Sequence, residues 1–373
     1  MNPTAATQFS PEQLFNIARQ RQAEGALREA RQAYEQILRQ IPFHAESMMM
    51  LASIFYQEGD ELQAEAYVDR AIEIYQGVLS HMPGKISARA PLVNLLLARD
   101  RVAEAEQFVV DLDLQINPIR ATPEEFIDRR RGALARGLPS LLINTVPKSA
   151  SESIWNKLAE GLGLAQCHLS IGLFPNCCLV PARLRTAAEG GIIAKEHLPA
   201  TAFNVNLLAE HGLKRMVFHV RDPRQATLSW AHFVRDDVSM RLMGPLWRKI
   251  VPPADVLRQD LEKVIDWSID NYLPLLVEFI QGWQRVGKDP DRALEVKFMS
   301  FETFLGEPEV YFDQVIEFTG IDPAHFAADA EAEIVHLRKG EREEWRGAFT
   351  EAQTERAWAL MAPEPAEALG WIP

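Results

Sequence analysis

A lysine lies in a polar turn that directly follows a short apolar run. The run is SLLINTV, residues 140–146, and the chain continues as PKSASESIW with Lys148 in the turn. Flanking prolines, Pro139 and Pro147, are typical of a buried strand, and the small hydroxyl residues that follow are typical of a helix start. A strand, a polar turn and a helix in this order present backbone N–H groups and a positive dipole end to an anion. The sequence therefore predicts a phosphate-type site at Lys148.

This turn is not a Walker A sequence. The pattern GxxxxGK[ST] needs a glycine at its start and another before the lysine, and neither is present around Lys148. Ordinary nucleoside triphosphate hydrolysis and a P-loop kinase are therefore disfavoured. A solvated helix start without a ligand stays open as the structural alternative.

A second candidate for anion binding follows a later apolar run. The run LKRMVFHV, residues 213–220, ends before Arg221, and Ser229 lies eight residues further along in RDPRQATLSW. A guanidinium can bind a phosphate through two parallel hydrogen bonds, and a hydroxyl two turns into the next helix can complete the site. The alternative is a surface ion pair between Arg221 and Asp222, with Ser229 inside a helix.

Five segments in a fixed order resemble a known enzyme family. The Lys148 turn and the RDPR…S segment are joined by IIAKEHLPA (192–200), LEVKFMSFETFLGEPEVYFDQVIEFTG (294–320) and LRKGEREEWRGAFTEAQTERA (337–357). Together they resemble the sulfotransferases that use 3′-phosphoadenosine 5′-phosphosulfate (PAPS), and IIAKEHLPA resembles the family's KTHLP segment. The resemblance covers residues from about 140 to 360 and implies a sulfotransferase fold.

The resemblance implies a role for each matching residue. Lys148 would face the sulfonyl and bridging oxygens of PAPS, His197 would be the general base, and Lys195 matches the lysine two residues before that base. Phe301 falls where the family often has a tyrosine that contacts adenine. The 5′-phosphosulfate would be wrapped by Ser149, Ala150, Ser151, Glu152 and Ser153, and the 3′-phosphate would be held by Arg221, Ser229, Arg338, Lys339 and Gly340.

These residue types suit sulfuryl transfer. The reaction requires a nucleophile and a leaving group in line, and stabilisation of the charge that moves to the leaving phosphate. A lysine ammonium can stabilise that charge, and a neutral histidine can remove the proton of an acceptor hydroxyl or amine. The prediction is PAPS-dependent transfer with His197 as base and Lys148 at the leaving group, without a metal.

Two residues in the turn depart from the family pattern. Ala150 stands where the turn usually has glycine, and Glu152 brings a carboxylate to a place that usually holds a hydroxyl or a small residue. They support a competing hypothesis, a helical-repeat interaction protein whose sulfotransferase-like domain has lost turnover.

Apolar runs and helical patterns alternate over residues 139–373. Further strands are predicted at GGIIA and ALEVKFM, and helices at SESIWNKLAEGLG and KVIDWSIDNYLPLLVEFIQGWQRV. This alternation predicts an α/β domain with a P-loop-like parallel sheet flanked by helices, and ligands at the carboxyl ends of its strands. His219, inside a predicted strand, is expected to be a core residue.

Residues 9–118 show a repeat instead. An offset of 34 residues superposes Gly25 on Gly59 and Ala30 on Ala64, and a third, weaker copy needs an offset of 41. This pattern resembles an all-α array of tetratricopeptide (TPR) repeats, with extra residues between units around GVLSHMPGK. Such an array either binds a peptide or protein partner or serves as a rigid cap on the neighbouring domain. The Met48–Met50 run is expected to be core.

A connecting helix is predicted over residues 119–138, starting after Thr122 and stopping at Gly137. By position, residues 233–275 would form a lid on the acceptor side. The acceptor itself stays open: a small molecule, a glycan, a peptide or a carrier-bound intermediate.

Composition limits the function classes. The chain has 373 residues, a length suited to about two domains, with 39 Lys and Arg against 52 Asp and Glu, a net charge of −13. That charge argues against nucleic acid or an anionic membrane surface as a partner. Three cysteines without metal-ligand spacing, no apolar run long enough to span a bilayer and no signal-peptide pattern predict a cytoplasmic protein.

Overall fold

A computed structural model describes residues 9–237, 246–291, 294–330, 341–361 and 369–372 of the chain. Arg338, Lys339 and Gly340 lie outside these ranges.

The first third forms the helical array, a run of helices in which each packs against the next. Its helices are α1 (Pro11–Ala23), α2 (Leu27–Gln40), α3 (Ala45–Glu58), α4 (Glu61–His81), α5 (Ile86–Ala98) and α6 (Val102–Val109). The alanines of the sequence repeat are fully buried, which lets neighbouring helices approach closely: Ala18, Ala30, Ala52, Ala64 and Ala105. The extra residues between the second and third copies do not form only a loop, because residues 77–81 lengthen α4.

Helix α7 (Pro123–Ala135) connects the array to the rest of the chain. The Thr122 hydroxyl accepts a hydrogen bond from the Glu125 N–H and the Glu125 carboxylate accepts one from the Thr122 N–H, so a capping box fixes the start of the helix. The helix is held in place by arginine side chains. Arg129 donates to Ala159 O at 2.8 Å and Arg130 to Thr186 O at 3.1 Å.

A parallel sheet with the strand order β2-β5-β1-β6-β7 forms the centre of the second part. The strands are β1 (Leu141–Thr145), β2 (Ala165–Cys167), β5 (Ile192–Glu196), β6 (Arg215–Val220) and β7 (Glu295–Ser300), and a separate antiparallel pair contains β3 (Ser170–Ile171) and β4 (Cys178–Leu179). The four longer strands overlap the predicted runs.

Helices cover the sheet on both faces. They are α8 (Ser151–Leu162), α9 (Pro181–Ala188), α10 (Ala202–Glu210), α11 (Pro223–Asp236), α12 (Ala254–Leu257), α13 (Leu261–Asn271), α14 (Leu273–Lys288), α15 (Phe301–Gly306), α16 (Pro308–Thr319), α17 (Trp345–Ala348) and α18 (Glu351–Leu360), with a 3-10 turn at Pro323–His325. The predicted α/β sheet flanked by helices is confirmed. The helical pattern predicted over 263–286 is divided into two helices at Tyr272, because Pro274 cannot continue the hydrogen-bond ladder of the preceding helix.

The helical array packs directly on the α/β part. Asn176 Nδ2 donates to Leu97 O at 2.9 Å, and Arg248 pairs with Glu61 at 2.7 Å. One cluster of buried apolar side chains continues from the array into one face of the sheet, and a second cluster fills the face under α8 and α16. Within the described ranges, no helix is both long enough and apolar enough to cross a membrane.

Candidate active site at the carboxyl edge of the sheet

Three of the predicted residues follow strands that are neighbours in the sheet. Asn144 of β1 pairs with Glu196 of β5, and Thr145 of β1 pairs with His219 of β6. Because parallel strands end at the same edge, the turn with Lys148, the residue His197 and the residue Arg221 all begin at this edge.

The ring of His197 is held in one orientation by strand β1. Its Nδ1 lies 2.7 Å from Thr145 O and 3.1 Å from Thr145 Oγ1. A carbonyl oxygen only accepts, so Nδ1 carries the proton and Nε2 is the basic nitrogen. Burial, and then the charge of Lys195, lower the pKa of His197 from 6.5 to about 4. The imidazole is therefore neutral near pH 7, as a general base must be.

The segment after His197 is fixed by an asparagine inside the central strand. Asn144 is fully buried; its Nδ2 donates to Leu198 O at 2.9 Å and its Oδ1 accepts from the Leu198 N–H at 2.7 Å. Trp283 of α14 donates a further hydrogen bond to Leu198 O at 2.7 Å. Both polar atoms of the Asn144 amide thus hold the backbone next to the candidate base.

The Lys148 turn has an unusual backbone conformation. Lys148 and Ala150 have φ values of 66° and 62°, the left-handed region that non-glycine residues rarely adopt. Left-handed residues that alternate with other conformations form concave arrangements of N–H groups that bind anions. Ser149 between them is fully buried, and its hydroxyl donates to Val146 O at 2.6 Å. Two left-handed residues on either side of Ser149 are compatible with such an arrangement, and Ala150 adopts this conformation although it replaces the usual glycine.

The ammonium of Lys148 rests on an aromatic ring. Its Nζ lies 3.9 Å from the centroid of the Phe233 ring, which belongs to α11. A cation–π contact of this kind restricts a long flexible side chain to the sheet edge. Phe233 in turn packs on Trp230, with 5.5 Å between ring centroids.

Glu152 is held by two cationic side chains. Its carboxylate forms an ion pair with Lys195 of β5 and a second one with Arg120 at 3.4 Å. Burial raises the pKa of the Glu152 carboxyl, but the two cations outweigh burial, so the pKa lies below its ordinary value. Glu152 is therefore charged at neutral pH, and its charge is compensated by Lys195 and Arg120. Lys195, predicted to contact PAPS, is engaged by this pair.

Arg221 lies at the sheet edge but forms chain contacts there. Its Nη1 donates to Lys148 O at 2.7 Å and its Nη2 to Glu341 O at 3.1 Å. The guanidinium covers the Phe301 ring at 3.9 Å, so two predicted cofactor residues lie in contact. Asp222 does not pair with Arg221 as the alternative interpretation expected. It pairs with the buried Arg224 at 2.7 Å.

The remaining predicted positions are at the start of α8 and within α11. Ser151 and Ser153 are buried in the first turn of α8, and the Ser153 hydroxyl has no hydrogen-bond partner among the described residues. Ser229 is half-buried, two turns into α11. The predicted contributions of Arg338, Lys339 and Gly340 lie outside the described residues.

The segment predicted as a lid on the acceptor side is only partly described. Its first residue, Phe233, contacts Lys148, and residues 238–245 lie outside the described ranges. The next part turns toward the helical array, where Lys249 pairs with Asp100 at 2.5 Å and Arg258 donates to Gln57 O at 3.0 Å.

Two further residues that the sequence motifs do not include, Asn144 and Thr145, shape this edge. Asn144 and Thr145 stand inside the SLLINTV run, and a polar residue in an otherwise apolar buried strand is the signal that could have found them. His219, expected in the core, is fully buried and hydrogen-bonded on both ring nitrogens, to Ser149 O at 2.7 Å and to Tyr311 at 3.0 Å. Within the described part of the chain, no group of three or more His, Cys, Asp or Glu residues is arranged to hold a metal ion.

Comparison with known proteins returns a structural match only. No family model matches the sequence, and no curated protein matches it. A crystal structure of mouse sulfotransferase SULT7A1 complexed with PAP is similar to this chain, with a TM-score of 0.43 and 13% sequence identity; the match covers 68% of this chain and 96% of that chain.

Proposed function

We propose that this protein is a sulfotransferase that moves a sulfuryl group from PAPS to an acceptor hydroxyl or amine. The observation that carries the proposal is the presence of a base and a cation at the same edge of the sheet. His197 has Nδ1 bound to Thr145 O at 2.7 Å and so keeps Nε2 basic, while Lys148 begins the turn that follows the adjacent strand. The order of the five family-like segments supports the same assignment.

The residues of the turn fit the 5′ end of PAPS. The left-handed residues Lys148 and Ala150 shape an anion cradle, and the buried Ser153 hydroxyl, which lacks a partner among the described residues, can donate to an anion there. Glu152 does not repel that anion strongly, because its charge is compensated by Lys195 and Arg120. When bound, PAPS would supply the sulfuryl group.

The reaction that follows from these roles is direct in-line transfer. The acceptor oxygen forms a bond to sulfur while the bond between sulfur and the 5′-phosphate oxygen breaks, and adenosine 3′,5′-diphosphate leaves. His197 Nε2 takes the proton of the acceptor hydroxyl. Lys148 and the N–H groups of the turn stabilise the charge that develops on the leaving phosphate. No electron is exchanged with an external donor, and no metal is required by this scheme.

We assign the nucleotide end by the resemblance to the PAPS-dependent sulfotransferases. Arg221 and Ser229, with Arg338, Lys339 and Gly340, would hold the 3′-phosphate, and Phe301 would lie near the adenine. Arg221 has the buried, ring-supported position of such a residue, and its contact with Lys148 O links the two phosphate sites. Lys195 is better assigned to compensating Glu152 than to direct contact with the nucleotide.

Labelled PAPS tests the proposal against a panel of glycans, tyrosine peptides and small alcohols. We expect transfer to at least one acceptor class, and its loss in Lys148→Ala and in His197→Ala. Two exposed residues of the helical array supply matched controls, Lys85→Ala and His81→Ala, which should retain the wild-type rate. Absence of binding to adenosine 3′,5′-diphosphate, together with absence of transfer, would reject the proposal.

The competing function is an interaction protein built on the TPR-like array with an impaired sulfotransferase-like domain. The observation in its favour is the Glu152–Lys195 ion pair, which engages a cation that the family resemblance assigns to the cofactor. The array also carries a cavity lined by Phe15, Met49 and Met50, so the two later methionines are not fully core. The same assay separates the functions, because a scaffold would bind partners without any transfer that depends on Lys148.

A further inference from the structure

Two backbone carbonyls of the turn accept hydrogen bonds from side chains at the end of the neighbouring strand, β6. His219, two residues before Arg221, approaches the turn from the end of β6. Its Nε2 lies 2.7 Å from Ser149 O, while Arg221 Nη1 lies 2.7 Å from Lys148 O. Two consecutive carbonyl groups are thus drawn toward the same strand, at the place where the turn has left-handed residues on either side of Ser149.

The direction of a carbonyl determines the direction of the next N–H group. In a trans peptide unit the C=O and the N–H point in opposite directions. A carbonyl of Lys148 held toward β6 therefore directs the Ser149 N–H away from β6, and a held carbonyl of Ser149 directs the Ala150 N–H away in the same manner. Both N–H groups therefore point away from β6.

The donor nitrogen of His219 is set by a second buried side chain. Because Ser149 O only accepts, His219 Nε2 carries the proton and Nδ1 accepts from the Tyr311 hydroxyl, 3.0 Å away. Tyr311, on α16, and His219 are both fully buried, and their rings pack edge to face with centroids 5.5 Å apart. Water cannot easily replace either partner at such a depth.

We infer that His219, oriented by Tyr311, is a positioning residue for anion binding: its hydrogen bond to Ser149 O aims the Ala150 N–H at the 5′-phosphosulfate. This inference rests on the proposed function for the identity of the ligand. It gives His219 a role beyond the core position that its burial suggests. The two bound carbonyls fix the peptide units on both sides of Ser149, and the second of these units leads into Ala150.

The test uses the full chain and two probes, adenosine 3′,5′-diphosphate by calorimetry and inorganic pyrophosphate by the amide signals of Ser149 and Ala150 in NMR spectra. His219→Leu removes the donor and should weaken both ligands roughly tenfold, as expected for one hydrogen bond to a charged group. His219→Gln, whose amide can donate near the former Nε2, should recover affinity to within about threefold of wild type. The affinity of Tyr311→Phe for both ligands should lie between those of the two His219 variants. This variant keeps the inference testable if His219→Leu fails to fold.

A matched control separates positioning from stability. Tyr34→Phe also removes one buried tyrosine hydroxyl, which donates to Gln22 at 3.1 Å in the helical array, and should lower the melting temperature without changing either affinity. Wild-type affinity in folded His219→Leu and Tyr311→Phe would overturn the inference alone. If the wild-type amides respond to pyrophosphate but the nucleotide does not bind, the proposed function fails and the positioning role stands. If neither probe binds, both are overturned.

Discussion

Two histidines at the sheet edge have lowered pKa values but different surroundings. His197 and His219 both have a pKa of about 4, and burial is the main cause for each. His197 is only partly covered and keeps Nε2 available, whereas His219 is fully buried with both nitrogens bound. The same physical effect therefore keeps both imidazoles neutral, one with a nitrogen available and the other with both nitrogens in hydrogen bonds.

The buried His219 should make folding stability depend on pH. In the unfolded chain its pKa returns to about 6.5, so between pH 6.5 and pH 4 the unfolded state binds more protons and stability falls as the pH is lowered. Urea unfolding at intervals from pH 7.5 to pH 4.5 measures this slope. The free energy of unfolding of His219→Gln should fall less over this pH range than that of the wild type. Above pH 7.5 the difference in free energy of unfolding between the two proteins should not change with pH. Equal slopes in both proteins would contradict the assignment.

The pKa of His197 makes a separate prediction for transfer activity. A base with a pKa of about 4 remains neutral through the range in which an ordinary histidine titrates. The value of kcat/KM should therefore be nearly constant between pH 5.5 and 7.5. It is measured under conditions in which the protein stays fully folded over this range. A tenfold decrease centred near pH 6.5 would show that the imidazole titrates as an exposed one does.

Ala150 should be a strained position. A left-handed alanine costs roughly 1–2 kcal/mol compared with its usual conformations, and glycine avoids that cost while losing some chain entropy on folding. Ala150→Gly should therefore raise the free energy of unfolding by up to about 1 kcal/mol. Ala103→Gly, at an exposed position inside α6, should lower it by about 1 kcal/mol. Chemical denaturation of both variants measures the contrast, and the same sign in both would refute the strain.

At the scale of elements, the sequence predicted the parts whose signal is local. The four longer strands are continuous apolar runs, and α7 and α8 have recognisable starts, so their existence followed from pattern. Strands β2, β3 and β4 have only two or three residues each, and they form because a neighbouring strand supplies hydrogen bonds that no local pattern encodes. The break at Tyr272 was missed because the apolar spacing continues across Pro274.

In the candidate site, too, some features could be predicted from the sequence and others could not. Lys148 and Arg221 were singled out because each follows a predicted strand, and His197 was singled out by the resemblance of its segment to a known family. The bonds that hold them were not found, because Asn144, Trp283 and Tyr311 act on the site from distant points in the chain. Spacing along a sequence does not reveal which strand becomes the neighbour of another, and the orientation of each site residue depends on that neighbour.

Asn144 links strand β1 to the position of His197. Asn144→Ala removes both hydrogen bonds to Leu198 and leaves its N–H buried without a partner, which costs about 1–3 kcal/mol. We expect kcat to fall further than stability alone explains, since His197 is the preceding residue. Ser268→Ala removes one buried hydrogen bond, to Val264 O at 2.7 Å in α13, and is the control. Melting curves and labelled transfer on both variants distinguish a local effect on the base from general destabilisation.

At the scale of the whole molecule, the net charge conceals the character of the site. A chain with 13 more acidic than basic residues is a poor partner for polyanions in general. Folding nevertheless brings Lys148 and Arg221 to one edge from different strands, and it compensates the carboxylate of Glu152 with Lys195 and Arg120. The net charge thus disfavours nonspecific binding of polyanions, but it does not exclude a specific site for a small anionic ligand.

The helical array and the sheet should unfold together. Their apolar cores are continuous, and Gly172 packs where the two parts meet: a Cβ there would lie 2.6 Å from Leu97 of the array and 2.5 Å from Asn176 O, at a φ of +98°. Gly172→Ala should therefore lower the free energy of unfolding by about 2–4 kcal/mol and weaken the coupling.

Spectroscopy can follow the two parts separately, because all eight tryptophans lie after residue 139. Tryptophan fluorescence reports the α/β part, and far-UV circular dichroism includes the array. In the wild type both signals should give the same denaturation midpoint, since a shared core favours one cooperative transition. In Gly172→Ala the midpoints should separate, with Gly77→Ala as the control: no heavy atom lies within 4 Å of a Cβ at that position in α4, so alanine there should be neutral or stabilising. Separate midpoints already in the wild type would mean that the array folds independently and that contacts such as Arg248 with Glu61 do not couple the two parts.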